Sequence, residues 1–415
     1  MAGYLKSRLA RARELAHAAR GTHGRSLAPG EEPALDVDTP SEDLPGWVRT
    51  APFVLSRNLR RPNPLPEVLD LRPYLPGMPG LASSAARESH ARDDTDLRLF
   101  PASRLLFLDL ETTGLSGGAG TVAFLAGFGR AVPGDPAEGF QIRQFLLTDY
   151  PGEGDFLDAV SGELGSDTVL ASYNGRSFDE PLLRTRCVLN RKDWVRRLHA
   201  DFLPAVRRLW RRRFPDCTLG TVEALLLGKS RTLDVPGARI PEIWFEYSKK
   251  GFHPQMEAVL EHNAVDLESL AAVAAECARA HEDPVGARDC DRTALGALWL
   301  RLEPEKGRAA LELAFAEGDE RAGWLLLKGY RRDGCLDEYR RILGALSPSW
   351  RSWTEKAKDA EHRLRDPRAG LEAALAAGGF TGDAELQEAL ELRIRRLKRK
   401  LAAILPQGDR TDLPR

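Results

Sequence analysis

The 415-residue sequence lacks the features typical of secreted, zinc-binding and membrane-spanning proteins. Its five cysteines are scattered and include no Cys-x-x-Cys pair. This argues against a structural zinc site or a disulfide framework and fits a reducing compartment such as the cytoplasm. No run approaches the ~20 apolar residues of a membrane span, and the first residues have no apolar signal core. We therefore expect neither a span nor a secretory signal.

The sequence also has no excess of either charge, because 60 Lys and Arg residues stand against 61 Asp and Glu residues. A protein without such an excess is attracted to nucleic acid or to a membrane only through local patches. The apolar content of 42% and the charged content of 29% are ordinary for a soluble globular protein. The length predicts two or three domains.

Four regions can be separated along the chain by their patterns. Residues 1–20 predict a basic amphipathic helix, and residues 21–95, rich in Pro and Gly, predict a linker and an irregular arm. Between residues 100 and 283, strand-like apolar runs alternate with helical patterns, which predicts an α/β domain with a mixed sheet flanked by helices. Residues 290–405 predict an all-α domain of helical hairpins with a loose period in the low thirties.

Two segments of the helical region, LEPEKGRAALELAF and LRDPRAGLEAALAA, resemble each other, with Pro304 aligned on Pro367. Asp366 before Pro367 is typical of a capped helix start. A final helix is predicted from the apolar stripe formed by Leu386, Leu390, Ile394, Leu397 and Leu401.

Segment 107–129, FLDLETTGLSGGAGTVAFLAGFG, contains two acids within an apolar run. Side chains at i and i+2 of a strand point to the same face, so Asp109 and Glu111 should project together from a buried strand. Ionised groups in such a place are costly unless they are paired. The Gly-rich SGGAG is followed by no Lys-Ser/Thr pair, so it predicts a tight turn rather than a phosphate loop.

Two further acids can complete this site. Asp179 lies in ASYNGRSFDEPLL at the start of a predicted helix, where it could also act as the helix N-cap. Asp266 lies in EHNAVDLESL inside a long predicted helix, and His262 shares its face one turn earlier. Converging carboxylates cannot all remain ionised without cations, and two divalent ions about 4 Å apart would neutralise them. Oxygen ligands favour Mg²⁺ or Mn²⁺.

Such a site suits metal-assisted hydrolysis of a phosphodiester, with His262 taking the proton of the attacking water. The alternative for His262 is an ordinary histidine on a helix surface. The basic run AVRRLWRRRF is either a solvated face or a contact for phosphates. It contains Arg207, Arg208, Arg211, Arg212 and Arg213. Trp210 within the run is expected in the core rather than stacked on a base.

FLDLETTGL, YNGRSFD and HNAVD match, in order and spacing, the three motifs of the DEDD exonucleases, which have a ribonuclease H-like fold. More narrowly, DLETTGLSGGAGTVAFLAG and DVPGARIPEIWFEY resemble the YprB-type ribonuclease H-like proteins. The resemblance covers roughly residues 100–280, and AEHRLRDPRAGLEAAL resembles that family's tetratricopeptide-like tail. It implies four metal carboxylates, Asp109, Glu111, Asp179 and Asp266. It also implies that Thr112, Gly114 and Leu115 border the terminal nucleotide and that Asn174 helps to hold the site.

The sequence departs from the family pattern at His262. Histidine-type DEDD enzymes place four residues between the histidine and the last aspartate, and tyrosine-type enzymes place three. Here three residues separate His262 from Asp266, so the histidine occupies the tyrosine position.

The residue patterns predict a two-metal site in a cytoplasmic protein, and the resemblance implies that the activity is that of a 3′–5′ exonuclease on single-stranded DNA or RNA. The helical region is expected to provide a surface for a protein partner, as such tails commonly do. Two alternatives remain at this point: a nucleic-acid or protein-binding module that keeps the fold without turnover, and an adaptor whose main surface is the helical region.

Overall fold

The computed structural model describes residues 39–40, 44–75, 96–114, 120–134, 137–231, 235–287, 289–380 and 382–404. The predicted N-terminal helix and Leu115 lie outside the described residues. The chain divides into two compact units between Asp291 and Arg292. No described helix is long and apolar enough to cross a membrane.

An eight-stranded mixed sheet forms the first unit. Its strands are β1 (Thr39–Pro40), β2 (Val48–Ala51), β3 (Val54–Arg61), β6 (Leu105–Thr112), β7 (Ala123–Ala131), β8 (Phe140–Leu147), β9 (Val169–Ser172) and β10 (His199–Asp201). They are ordered β1-β2-β3-β8-β7-β6-β9-β10, while β4 (Val68–Leu69) pairs with β5 (Phe100–Pro101). Strand β6 pairs antiparallel with β7 and parallel with β9. The predicted mixed sheet is confirmed.

Six helices accompany the sheet in the described part of the first unit. They are α1 (Glu153–Gly162), α2 (Asp179–Leu189), α3 (Phe202–Trp210), α4 (Leu219–Leu225), α5 (Ile240–Lys250) and α6 (Met256–Glu282). Helix α5 is anchored by Trp244, which stacks on Phe124 at 5.0 Å and donates its indole N–H to the carbonyl of Leu147. Helix α6 contacts both β6 and β7, and so lies over the strand that bears the two acids.

The irregular arm predicted for residues 21–95 is corrected by the structure, which places four strands in that segment. Strand β3 pairs with β8 along its whole length, and β2 continues the sheet beyond it. Trp47, Val54 and Leu55 are buried in the main core. The many prolines around β3 made the segment look irregular in the sequence. They lie outside the paired residues, so they do not interrupt the hydrogen bonds of the strand.

The second unit is built from helices only among its described residues. They are α7 (Arg292–Leu302), α8 (Pro304–Ala316), α9 (Glu320–Asp333), α10 (Leu336–Ala345), α11 (Trp350–Asp359), α12 (Pro367–Gly378) and α13 (Ala384–Ile404). Each helix packs against the next along the chain. The Asp366 side chain caps α12 by accepting from the backbone N–H groups of Arg368 and Ala369, as predicted. Along the predicted stripe of α13, Leu390, Leu397 and Leu401 are buried.

Candidate active site

The first two acids lie on the central strand β6, where Asp109 and Glu111 project from the same face. Burial raises the pKa of Asp109 well above its usual range, and the negative charges of Asp266, Glu111 and Asp179 raise it further. Glu111, Asp179 and Asp266 are therefore all close enough to Asp109 for their charges to act on it. Such repulsion favours a proton or a cation between them.

Asp179 reaches the site through a tight turn between β9 and α2. Asn174 adopts the left-handed conformation with φ 72°, and its backbone N–H donates to the Asp201 carboxylate at 2.8 Å. A Cβ on Gly175 would lie 2.7 Å from the Asp179 carboxylate, so only glycine leaves room there. Asp179 is the first residue of α2 and Phe178 is its N-cap, so the N-cap alternative for Asp179 is wrong. Burial, and then Asp201, raise the Asp179 pKa to about 7.

A buried hydrogen-bond network supports the same turn. Ser172 Oγ lies 2.7 Å from His199 Nε2, and His199 Nδ1 lies 2.8 Å from a Glu180 carboxylate oxygen. The backbone N–H of Gly175 donates to Ser172 Oγ. The arrangement looks like a hydrolase triad, but Ser172 is fully buried and cannot meet a substrate. The network fixes the turn that presents Asp179.

Helix α6 is tied to the strand acids by an amide relay. Asn263 donates its Nδ2 to the Asp109 carboxylate at 2.7 Å, and its Oδ1 accepts from Gln144 Nε2 at 2.6 Å. Gln144 in turn accepts from Arg57 Nε on β3. A Cβ on Gly127 would lie 2.2 Å from the Asn263 oxygen, so α6 needs a glycine there to approach β7. The relay holds Asp109 at a set distance from Asp266.

Asp266 and His262 face the acids from α6, and Arg231 joins them. The His262 Nε2 atom lies 3.9 Å from the Glu111 carboxylate and 3.7 Å from that of Asp266. Arg231 hydrogen-bonds Asp266, and its Nη1 lies 3.2 Å from His262 Nδ1. The same guanidinium forms a bidentate pair with the buried Glu223. Burial raises the Asp266 pKa, although His262 and Arg231 oppose the rise.

The described residues predicted to bind substrate occupy three places, one of which is the turn that contains Asn174. Thr112 donates its hydroxyl to the Gly114 carbonyl at 2.9 Å, which shapes the chain directly after the acids. Arg207 and Arg208 lie on α3, and Arg211 and Arg212 follow it. Trp210 is 3% exposed, so its expected place in the core is confirmed.

The donor chemistry of the site fits divalent metal ions, because buried carboxylates of raised pKa gain from a neutralising cation. Among the described residues, no three Asp, Glu, His or Cys side chains are already arranged as the ligands of a metal ion. The Asp109 carboxylate instead bonds Asn263, and that of Asp266 bonds Arg231. The four predicted acids are the groups that would hold the ions.

Sequence reasoning missed the supporting residues of the site. Asn263 lies inside the HNAVD motif and Gly127 inside the apolar run, so both had a local signal. Gln144 on β8, Glu223 on α4 and Arg231 in a loop had none, since a single polar residue usually faces solvent wherever it lies.

Comparisons with known proteins agree with the fold of the first unit. Residues 106–278 match a family model described as the RNase H superfamily. The chain is 30% identical over 322 residues to the uncharacterized protein YprB of Bacillus subtilis (strain 168). That alignment covers 72% of this chain and 76% of the relative. With its mixed sheet and its acids on the central strand, the chain contains an RNase H superfamily domain over residues 106–278, and it belongs to the family of YprB.

Proposed function

We propose that the protein is a metal-dependent 3′–5′ exonuclease that hydrolyses single-stranded DNA or RNA. The observation that carries the proposal is that Asp109 on β6 is buried and feels the negative charges of three further acids, Glu111 on β6, Asp179 on α2 and Asp266 on α6. A site of this kind is unfavourable for stability alone, and buried acids with shifted pKa values are typical of catalytic sites. Asp109, Glu111, Asp179 and Asp266 would hold Mg²⁺ or Mn²⁺. Ions so bound would lower the pKa of the attacking water and stabilise the leaving oxygen.

The protein side chains orient and support the reaction. Asn263 donates to one Asp109 carboxylate oxygen, and the other oxygen would then be the one that binds an ion. His262 borders the position of the attacking water, where it either takes a proton or orients the water. His262→Ala should lower turnover by roughly 10²-fold, the lower end of what an acid–base group contributes. Metal affinity should change little.

Digestion of end-labelled strands tests the activity. With Mn²⁺, a 5′-labelled strand should shorten one nucleotide at a time, and a 3′-labelled strand should release its label at once. Asp109→Asn should abolish both reactions and weaken Mn²⁺ binding in titration calorimetry. Asp167→Asn, whose carboxylate is 64% exposed on the surface, is the matched control. Binding of either strand without release of nucleotides would instead support a non-catalytic binding module.

A partner rich in acidic side chains for the helical unit is also part of the proposal. A cavity of about 590 Å³ in that unit is lined by Trp324, Lys328, Arg331 and Arg351 among others, and the Arg351 guanidinium stacks on Trp324 at 3.8 Å. Glu355 in the same lining lies 3.9 Å from Arg331 and leaves the cations in excess. Clustered cations recognise carboxylates. Labelled polyglutamate should bind the wild type and not Lys328→Glu/Arg331→Glu. The control Arg395→Glu should bind normally, and equal binding by all three would exclude this surface.

The proposal also includes that the protein acts in a reducing compartment. All five cysteines are free thiols, and the buried Cys277 has a pKa raised by desolvation, which makes it unreactive. This fits the cytoplasm.

A further inference from the structure

Arg231 is fixed beside the carboxylates by an ion pair that does not involve α6. Its Nε and Nη2 atoms lie 2.7 and 2.6 Å from the two carboxylate oxygens of Glu223 on α4. Glu223 is 2% exposed, so its charge is tolerated only because the guanidinium meets it in this paired geometry. The pair sets both the place and the plane of the guanidinium.

The remaining guanidinium hydrogens face α6. Nη2 also bonds Asp266, and Nη1 lies 3.2 Å from His262 Nδ1. A guanidinium nitrogen can only donate a hydrogen bond, so Nδ1 has to accept. When the ring carries one proton, that proton is then on Nε2. Nε2 is the atom that faces the carboxylates of Glu111 and Asp266.

We propose that Arg231 is a positioning residue that holds His262 as a hydrogen-bond donor toward the carboxylate site. An Nε2 atom that already carries hydrogen orients water or a phosphate oxygen and does not take the proton of the water. The predicted effect of Arg231 on turnover rests on the proposed nuclease function. The tautomer of His262, however, is measurable without turnover.

The tautomer of His262 can be measured by long-range ¹H–¹⁵N correlation NMR. The sample is the metal-free full chain with ¹⁵N-labelled histidine. The His262 resonances are assigned by their loss in His262→Gln. We expect Nε2 to carry the hydrogen in the wild type. Arg231→Met alone would leave the buried Glu223 unpaired, so the double variant Glu223→Gln/Arg231→Met is the better probe. It should move the ring toward a mixture of tautomers.

The control variant is Arg239→Met, which removes an exposed arginine that contacts Gln255 at 3.4 Å. It should leave the His262 resonances unchanged. In turnover assays the double variant should lose about 10- to 100-fold in kcat, as expected when an outer partner of a site residue is removed. The pair His262→Tyr and His262→Phe differs by one hydroxyl, and the tyrosine variant should be the more active.

Two results would overturn the proposal whatever the activity: hydrogen on Nδ1 in the wild type, or an unchanged tautomer in the double variant. Where the wild type releases nucleotides, equal activity of the tyrosine and phenylalanine variants would also overturn it. If the tautomer follows Arg231 but neither the wild type nor any variant releases nucleotides, the nuclease function fails while the assignment of Arg231 stands.

Discussion

The carboxyl group of Asp179 holds its proton to about pH 7, because it is buried and faces the charge of Asp201. Burial and three neighbouring acids also raise the pKa of Asp109 well above its usual range. Both shifts favour the neutral form of the carboxyl group in the metal-free protein. Loss of these protons leaves ionised carboxylates that can bind a cation. Without a cation, the buried negative charges lower the stability of the folded protein.

This gives a prediction for stability against pH. Asp179 loses its proton near its ordinary value of 3.8 in the unfolded chain and near 7 in the folded protein. Between these values the folded state binds more protons, so the free energy of unfolding falls as the pH rises. In EDTA, Asp179→Asn should show a smaller loss of Tm than the wild type from about pH 4 to about pH 7.

Asp167→Asn is the control, because its carboxylate is exposed. Saturating Mn²⁺ should restore the wild-type Tm at the upper end of the range, since a ligand of the folded state stabilises it. Parallel profiles for wild type and Asp179→Asn would show that Asp179 titrates normally.

At the scale of elements, the site depends on how closely α6 approaches β7. The contact point is Gly127, where a Cβ would lie 2.2 Å from Asn263 Oδ1 and 2.7 Å from Leu267 Cδ1. Both neighbours are held, Asn263 by its hydrogen bonds and Leu267 by burial. A larger residue therefore has to move the helix, and Asp266 moves with it.

Gly127→Ala should lower the free energy of unfolding by about 1–3 kcal/mol, the usual cost of overpacking. It should also weaken Mn²⁺ binding, since Asp109 and Asp266 would separate. Urea denaturation and calorimetry measure the two effects. Gly162→Ala at the end of α1, where nothing lies within 4 Å of the new Cβ, should change neither.

Helix α3 carries the predicted phosphate contacts. Arg207 and Arg211 are exposed, and the positive charge of Arg207 is near enough to Tyr173 to oppose the rise of that phenol's pKa through burial. Because Tyr173 precedes Asn174, this places Arg207 toward the turn that presents Asp179. Arg213 is instead paired with Asp289 at 3.3 Å.

Arg207→Gln/Arg211→Gln should weaken binding of single-stranded nucleic acid and reduce the log–log salt slope by ~0.7 for each phosphate that the protein no longer neutralises. Fluorescence anisotropy over a salt series measures the slope. Arg395→Gln on α13, which removes a 65% exposed arginine of the other unit, is the control. A slope that stays at the wild-type value would identify the run as a solvated surface.

At the scale of the whole molecule, the two units have separate cores. Strand β3 belongs to the first core although it lies about 40 residues before β6 in the sequence. It covers the edge of β8, and its Arg57 supports the amide relay to Asp109. A fragment that keeps the candidate active site therefore has to include the N-terminal strands.

We predict that residues 1–291 form a soluble fragment that binds Mn²⁺ as the full chain does. A fragment of residues 96–291 should aggregate, because it exposes the β8 edge and the core beneath Trp47. Size-exclusion chromatography and calorimetry compare the two. A soluble, metal-binding shorter fragment would show that β3 is dispensable.

The sequence by itself determined the features that depend on local pattern. Alternation along β6 placed Asp109 and Glu111 on one face, one helical turn placed His262 beside Asp266, and Asp366 capped its helix. These relations hold within a few residues of chain, so periodicity and capping chemistry are enough to predict them.

Only the tertiary structure decided the rest. The pairing of β3 with β8 joins segments about 85 residues apart, and no local pattern encodes such a partner. The same is true of Arg231, which meets Asp266 only because α4 and α6 bring it there. In the sequence it is one arginine in a polar loop. Folding surrounds it with Glu223, Asp266 and His262, and that buried setting, rather than the residue type, defines its role.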